Sequence, residues 1–201
     1  PRVSEQEYDV EHHGDVFYIR VNDRGRNFRL AMAPVASPGR DGWTEVVPHR
    51  PEVMLEGVDC FRDHLVRFER ENGLPQVSVT DLRTGAAHRI AFPEAAYTAA
   101  PDANLEFDCR TFRYRYQSLV TPPSVFDYDM DSRAATLLKE HPVLGYDRAQ
   151  YETERAHATA PDGVRVPLSI VYRKGLAKDG TAPLLLYAYG SYGFPLPITF
   201  S

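Results

Sequence analysis

Sulfur is scarce in this chain: two cysteines, Cys60 and Cys109, and three methionines occur among 201 residues. Two cysteines make neither a disulfide framework nor a paired metal motif. Both are expected to be free thiols in a reducing compartment, which predicts a cytoplasmic location. Long apolar runs are also missing. Nothing approaches the roughly 20 residues that span a bilayer, and Pro1-Arg2-Val3-Ser4-Glu5-Gln6-Glu7 has no secretory apolar segment. The start at proline predicts processing or a boundary cut upstream. There is no excess of positive charge, since 23 basic residues stand against 28 acidic ones for a net charge of -5. Nucleic acid favours a basic stripe, so neither nucleic acid nor membrane is expected as a partner, while small cationic substrates remain compatible. The seven histidines include one adjacent pair, His12-His13, with no HExxH or CxxC spacing. A loop or strand-end role is expected for that pair, with no metal and no cofactor.

What is present is an internal repeat. Strand-like runs at 15–21 and 27–32 are separated by the turn cluster Asn22-Asp23-Arg24-Gly25-Arg26. The same order returns at 64–69 and 76–82 around Glu71-Asn72-Gly73, and again at 112–116 and 124–130. Asp15 to His64 is 49 residues and His64 to Phe112 is 48, while Asn27 to Gln76 is 49 and Gln76 to Ser124 is 48. Asp59-Cys60 and Asp108-Cys109 follow the same step, which places the cysteines at equivalent positions and argues against their pairing. A period of about 40 to 50 residues with several short strands is that of propeller blades, each needing a neighbour to cover its faces. Phe112, Tyr114 and Tyr116 alternating with Arg113 and Arg115 fit a strand with one face buried between blades. A β-sandwich with regularly spaced strands is the competing architecture. About three repeats are visible and a closed propeller has at least four, so earlier blades are expected.

Within the repeats, Asp127, Asp129 and Asp131 lack the glycine and distal glutamate of a calcium loop and read as strand and turn carboxylates. Arg110, Arg113 and Arg115 read as a solvated strand face. Around His141-Pro142-Val143-Leu144-Gly145 the pattern breaks at a linker. Beyond it, two strand-like runs flank the turn Pro161-Asp162-Gly163, with Pro167 suited to an edge or bulge. Leu184-Leu185-Leu186-Tyr187 then reads as a buried strand, and Ala188-Tyr189-Gly190-Ser191-Tyr192-Gly193-Phe194 as a loop that approaches a ligand.

The Pro161–Pro167 hairpin, the tyrosine- and glycine-rich segment after Pro183, and Phe126-Asp127-Tyr128-Asp129-Met130 before the linker together resemble the prolyl oligopeptidase family of serine peptidases. Asn27-Phe28-Arg29-Leu30, Val53-Met54-Leu55-Glu56-Gly57 and the Ser191-Tyr192 pair favour its oligopeptidase B branch. The resemblance implies a mainly β chain: the last blades of a β-propeller over residues 1–141, then the first strands of an α/β-hydrolase catalytic domain over 142–201. It implies hydrolysis of short peptides, after lysine or arginine, through an acyl-enzyme. Tyr189 matches the tyrosine whose hydroxyl holds the oxyanion, and Tyr192 an aromatic beside the specificity pocket. Two departures stand out: Ala188 where glycine is common, and the stiff Phe194-Pro195-Leu196-Pro197. No GxSxG elbow occurs, so no residue here is assigned to the catalytic triad, and the chain alone is expected to be inactive. The alternatives are a non-catalytic propeller serving as an interaction platform, and an acylaminoacyl or dipeptidyl peptidase branch of the same fold.

Overall fold

The computed structural model describes residues 3–192 and 194–201; Pro1 and Gly193, which carried expectations above, lie outside them. Three four-stranded antiparallel sheets follow one another, each built in chain order. The first contains β1 (Tyr8–His13), β2 (Val16–Val21), β3 (Arg29–Pro34) and β4 (Thr44–Val47). The second contains β5 (Val53–Cys60), β6 (His64–Glu71), β7 (Leu74–Asp81) and β8 (Ala87–Arg89), and the third β9 (Tyr97–Pro101), β10 (Thr111–Ser118), β11 (Ser124–Asp129) and β12 (Ala134–Glu140). A separate hairpin, β13 (Tyr151–Thr159) and β14 (Arg165–Arg173), comes after the linker. These three sheets have the four-stranded meander of propeller blades.

The same backbone hydrogen bond marks each blade. The residue just past the third strand donates to the loop before the second: Val35 to Asp15 at 2.8 Å, Leu82 to Asp63 at 2.8 Å and Met130 to Arg110 at 2.9 Å. Equivalent positions therefore step from 15 to 63 to 110, one residue shorter each time than the 49 and 48 read from the sequence. Leu65, not His64, is the counterpart of Phe112. The slip lies in the strand starts: β2, β6 and β10 begin at 16, 64 and 111, not at 15, 64 and 112. In a strand, one residue exchanges the two faces.

The corrected step explains the packing. Tyr18, Leu30 and Met32 of the first blade meet Leu55, Val58 and Leu65 of the second. Val66, Val77 and Val79 on the opposite face of the second blade meet Phe112, Tyr114 and Tyr116 of the third. This second layer is aromatic, with Tyr114 stacked on Phe126 at 5.3 Å and Phe92 on Tyr116 at 5.6 Å. Each such pair contributes about 0.5–1.5 kcal/mol beyond burial. Glu94 accepts from Tyr116 Oη at 2.7 Å and from Thr121 Oγ1 at 2.5 Å, so the polar tips of these two side chains are paired.

The cysteines are not equivalent. Cys60 ends β5 and packs between the first two blades, whereas Cys109 lies in the loop before β10 and packs between the second and third. Both are free thiols. The step of 49 between them is two residues longer than the 47 that separates Asp63 from Arg110, so the coincidence came from loop length.

Candidate functional site

Sequence reading locates candidate chemistry on the tyrosine-rich loop, and the segment before it does not form the expected buried strand. Residues 184–187 form no strand: Leu184, Leu185, Leu186 and Tyr187 are all exposed. A buried strand requires neighbours for its amides and carbonyls, and no strand among the described residues pairs with it. Tyr189 is half exposed and its ring meets Phe194 edge-on at 5.8 Å. Tyr192 is 95% exposed at φ 56°, in a turn closed by the Phe194 N–H donating to the Ser191 carbonyl at 3.1 Å. Among the described residues neither phenol has a hydrogen-bond partner, so both are free to donate. A Cβ at Gly190 meets nothing within 4 Å, and Ala188 does not adopt positive φ, so its methyl is accommodated.

The loop is reached through an anchored hairpin. The Pro161-Asp162-Gly163 turn forms as its residues dictate, with Gly163 at φ 85° and the Val164 N–H donating to Asp162 Oδ1 at 3.0 Å. Pro167 pairs with His157 in a two-stranded sheet, where every strand is an edge and its missing donor costs nothing. Lys178 holds Glu154 at 2.7 Å and lies 4.2 Å from the Tyr172 ring, tying the following loop to β13 and β14. Gly73, at the tip of the second blade, has Arg155 and Pro167 of the hairpin as its nearest neighbours, each 3.5 Å from where a Cβ would stand.

Elsewhere, candidate groups are engaged in structure. His12 and His13 close β1, and His13 Nε2 lies 2.8 Å from the Arg62 carbonyl. Asp127 accepts two bonds from Arg113, at 2.7 and 2.9 Å, and Asp129 accepts the Asp131 and Ser132 amides. Ser78 donates to Glu69 at 3.0 Å, and Ser124 to the Pro122 carbonyl at 2.8 Å, so these buried hydroxyls are not poised as nucleophiles. Burial, with Glu11 and Asp59 nearby, pushes the Cys60 thiol up to about 12, far from a nucleophilic thiolate. A depression of about 390 Å³ on the third blade has Arg115, Tyr116 and His141 in its wall but neither Tyr189 nor Tyr192. One juxtaposition escaped sequence reading: His64, Asp81 and Asp131 converge from two blades. No spacing rule reveals it, because its members come from two strands of one blade and a turn of the next.

Residues 1–141 match the family model described as "Prolyl oligopeptidase, N-terminal beta-propeller domain". The chain belongs to the prolyl oligopeptidase family. Among family members, it is 39% identical to dipeptidyl aminopeptidase BI of Pseudoxanthomonas mexicana, over 100% of this chain and 28% of that protein. It is 37% identical to protease 2 of Moraxella lacunata, over 92% of this chain and 26% of that protein. The structure of oligopeptidase B from Leishmania major superposes with a TM-score of 0.87 at 34% identity, covering 100% of this chain and 30% of that one. The chain therefore spans under a third of the length of these relatives. Within the prolyl oligopeptidase family, the three sheets are blades of the propeller.

Proposed function

We propose that this chain is the portion of a serine peptidase that joins its last propeller blades, 1–141, to the first strands of an α/β-hydrolase domain, 142–201. The peptidase hydrolyses short peptides in the cytoplasm, after lysine or arginine, by acyl-enzyme chemistry, and its nucleophile lies outside these residues. The observation that carries this reading is family membership together with a free tyrosine, Tyr189, on the loop that follows the hairpin. Tyr189 donates its hydroxyl to the oxyanion, and Tyr192 lies beside the specificity pocket. A neutral phenol suits the first role because it stabilises charge that develops only in the transition state. The left-handed backbone at Tyr192 supports the second, since such conformations cost about 1–3 kcal/mol and cluster at ligand sites. The exposed leucines 184–186 are those of a strand awaiting sheet partners.

The test is kinetic. In the intact peptidase, Tyr189→Phe lowers kcat on a blocked arginyl chromogenic peptide about 100-fold with little change in KM; an unchanged kcat removes Tyr189 from the chemistry. A second reading, release of dipeptides from a free N-terminus, is favoured by the 39% identity to a protein named dipeptidyl aminopeptidase. Comparing blocked arginyl, free dipeptidyl, prolyl and acylated substrates separates the two. If none is hydrolysed and no GxSxG is encoded beyond Ser201, the chain is an interaction platform instead.

A further inference from the structure

At the end of the second blade away from the hairpin, His64 opens β6 and pairs across strands with Asp81, which closes β7. Asp131, two residues past β11 of the third blade, completes the group. One ligand atom from each residue lies within 4.8 Å of the other two, and His64 Nε2 is 3.3 Å from Asp131 Oδ1. His64 is 2% exposed and neither of its ring nitrogens makes a hydrogen bond. Buried polar side chains nearly always find partners, and an orphan costs about 1–3 kcal/mol. Its neighbours carry an excess of negative charge. Arg83 alone faces three carboxylates: Asp131 at 2.6 Å, Asp81 at 2.9 Å and Asp63 at 3.7 Å.

We propose that His64, Asp81 and Asp131 bind a divalent transition-metal ion of the zinc class, clamping the second blade to the third. One imidazole with two carboxylates is a donor set for zinc or a similar ion, whereas calcium and magnesium prefer oxygen alone. The ion gives the orphan imidazole a partner and offsets the surplus negative charge. Its role is structural. Gly73, which touches the hairpin, lies past the opposite end of β6, and a strand of that length separates its ends by about 23 Å. Arg83 is the competitor, because its half-exposed guanidinium holds both carboxylates and must release Asp131 when the ion enters.

That competition makes the test two-sided. The intact protein, stripped with chelator, is titrated with zinc chloride by calorimetry and its thermal midpoint is followed. The wild type is expected to bind one ion per chain saturably and to melt at higher temperature when loaded. Asp131→Asn, at a partly exposed turn, weakens binding about tenfold or more. Arg83→Gln, which removes the competitor, tightens it severalfold. Three outcomes overturn the proposal: no saturable binding up to millimolar zinc, an affinity that Asp131→Asn leaves unchanged, or an Arg83→Gln effect in the same direction as Asp131→Asn. Any of these makes the cluster an ion-pair network only.

Discussion

Single residues hold the ends of the blades together by charge, and Asp23 shows how. Its side chain is 5% exposed, accepts from Arg29 at 2.7 and 2.9 Å and from Arg40 at 2.6 Å, and sits in the loop joining β2 to β3. The Arg29 hydrogen bonds hold its carboxyl below the usual range, with Arg40 adding to the effect and burial opposing it. A depressed folded value means stability that is present above the unfolded value, about 3.9, and is lost as pH falls through the folded one. Asp23→Asn is expected to cost about 2 kcal/mol at pH 7, with the gap from wild type closing as pH drops below about 4. Denaturant titrations at pH 7, 4 and 2.5 measure it; a gap of constant size at all three sinks the electrostatic account. The loop at 188–194 stands out in the sequence because small and aromatic residues alternate there, while the roles of Tyr189 and Tyr192 rest on the family resemblance. His64 does not, since nothing local distinguishes a buried unpaired histidine from any other.

At the scale of elements, strands with strong alternation were readable and those without it were not. The second and third strands of each blade carry their hydrophobic pattern openly, and β10 reads Thr-Phe-Arg-Tyr-Arg-Tyr-Gln-Ser. The first strands were harder. β1 is exposed or half-buried along its length and β9 is a short run, Tyr-Thr-Ala-Ala-Pro, so their pairing shows only when the neighbouring strand is in place. At 184–187 composition is that of a buried strand, but no strand among the described residues lies alongside it. Apolar character states what a segment requires; hydrogen-bonded neighbours decide what it becomes. The corrected blade step makes a sharp prediction about β10. Phe112 is wholly buried against the second blade, packing on Phe61 and Phe68 at ring distances of 6.4 and 5.9 Å. Phe112→Ala is expected to destabilise by about 3–5 kcal/mol, whereas Arg113→Ala, one residue along on the exposed face, costs less than about 1 kcal/mol. Equal costs in equilibrium unfolding contradict the assigned faces.

For the whole molecule, the question is what connects the propeller blades to the segment bearing Tyr189. Tyr146 is the common member. Its hydroxyl donates to the Val120 carbonyl at 2.6 Å, in the loop between β10 and β11. Its ring stacks on Tyr151, which opens β13, at 5.7 Å, and meets Phe200 edge-on at 5.0 Å. The Phe200 N–H in turn donates to Gln117 Oε1 of β10 at 3.2 Å. One linker side chain thus touches the third blade, the hairpin and the segment after the tyrosine loop. Since openings occur in cooperative units whose stability follows their own contacts, Tyr146→Ala should loosen the hairpin and the 194–201 segment while leaving the inter-blade layers intact. Hydrogen exchange read by mass spectrometry on the intact protein should show faster exchange at Tyr151 and Phe200, and unchanged protection at Val66, Val79 and Leu30. Tyr146→Phe separates the two contributions: it keeps both aromatic contacts and removes only the hydroxyl bond, typically about 0.5–1.5 kcal/mol, so its effect should be smaller and centred on Val120. Faster exchange spread evenly over all three blades would place Tyr146 in the general stability of the fold and not at its junction.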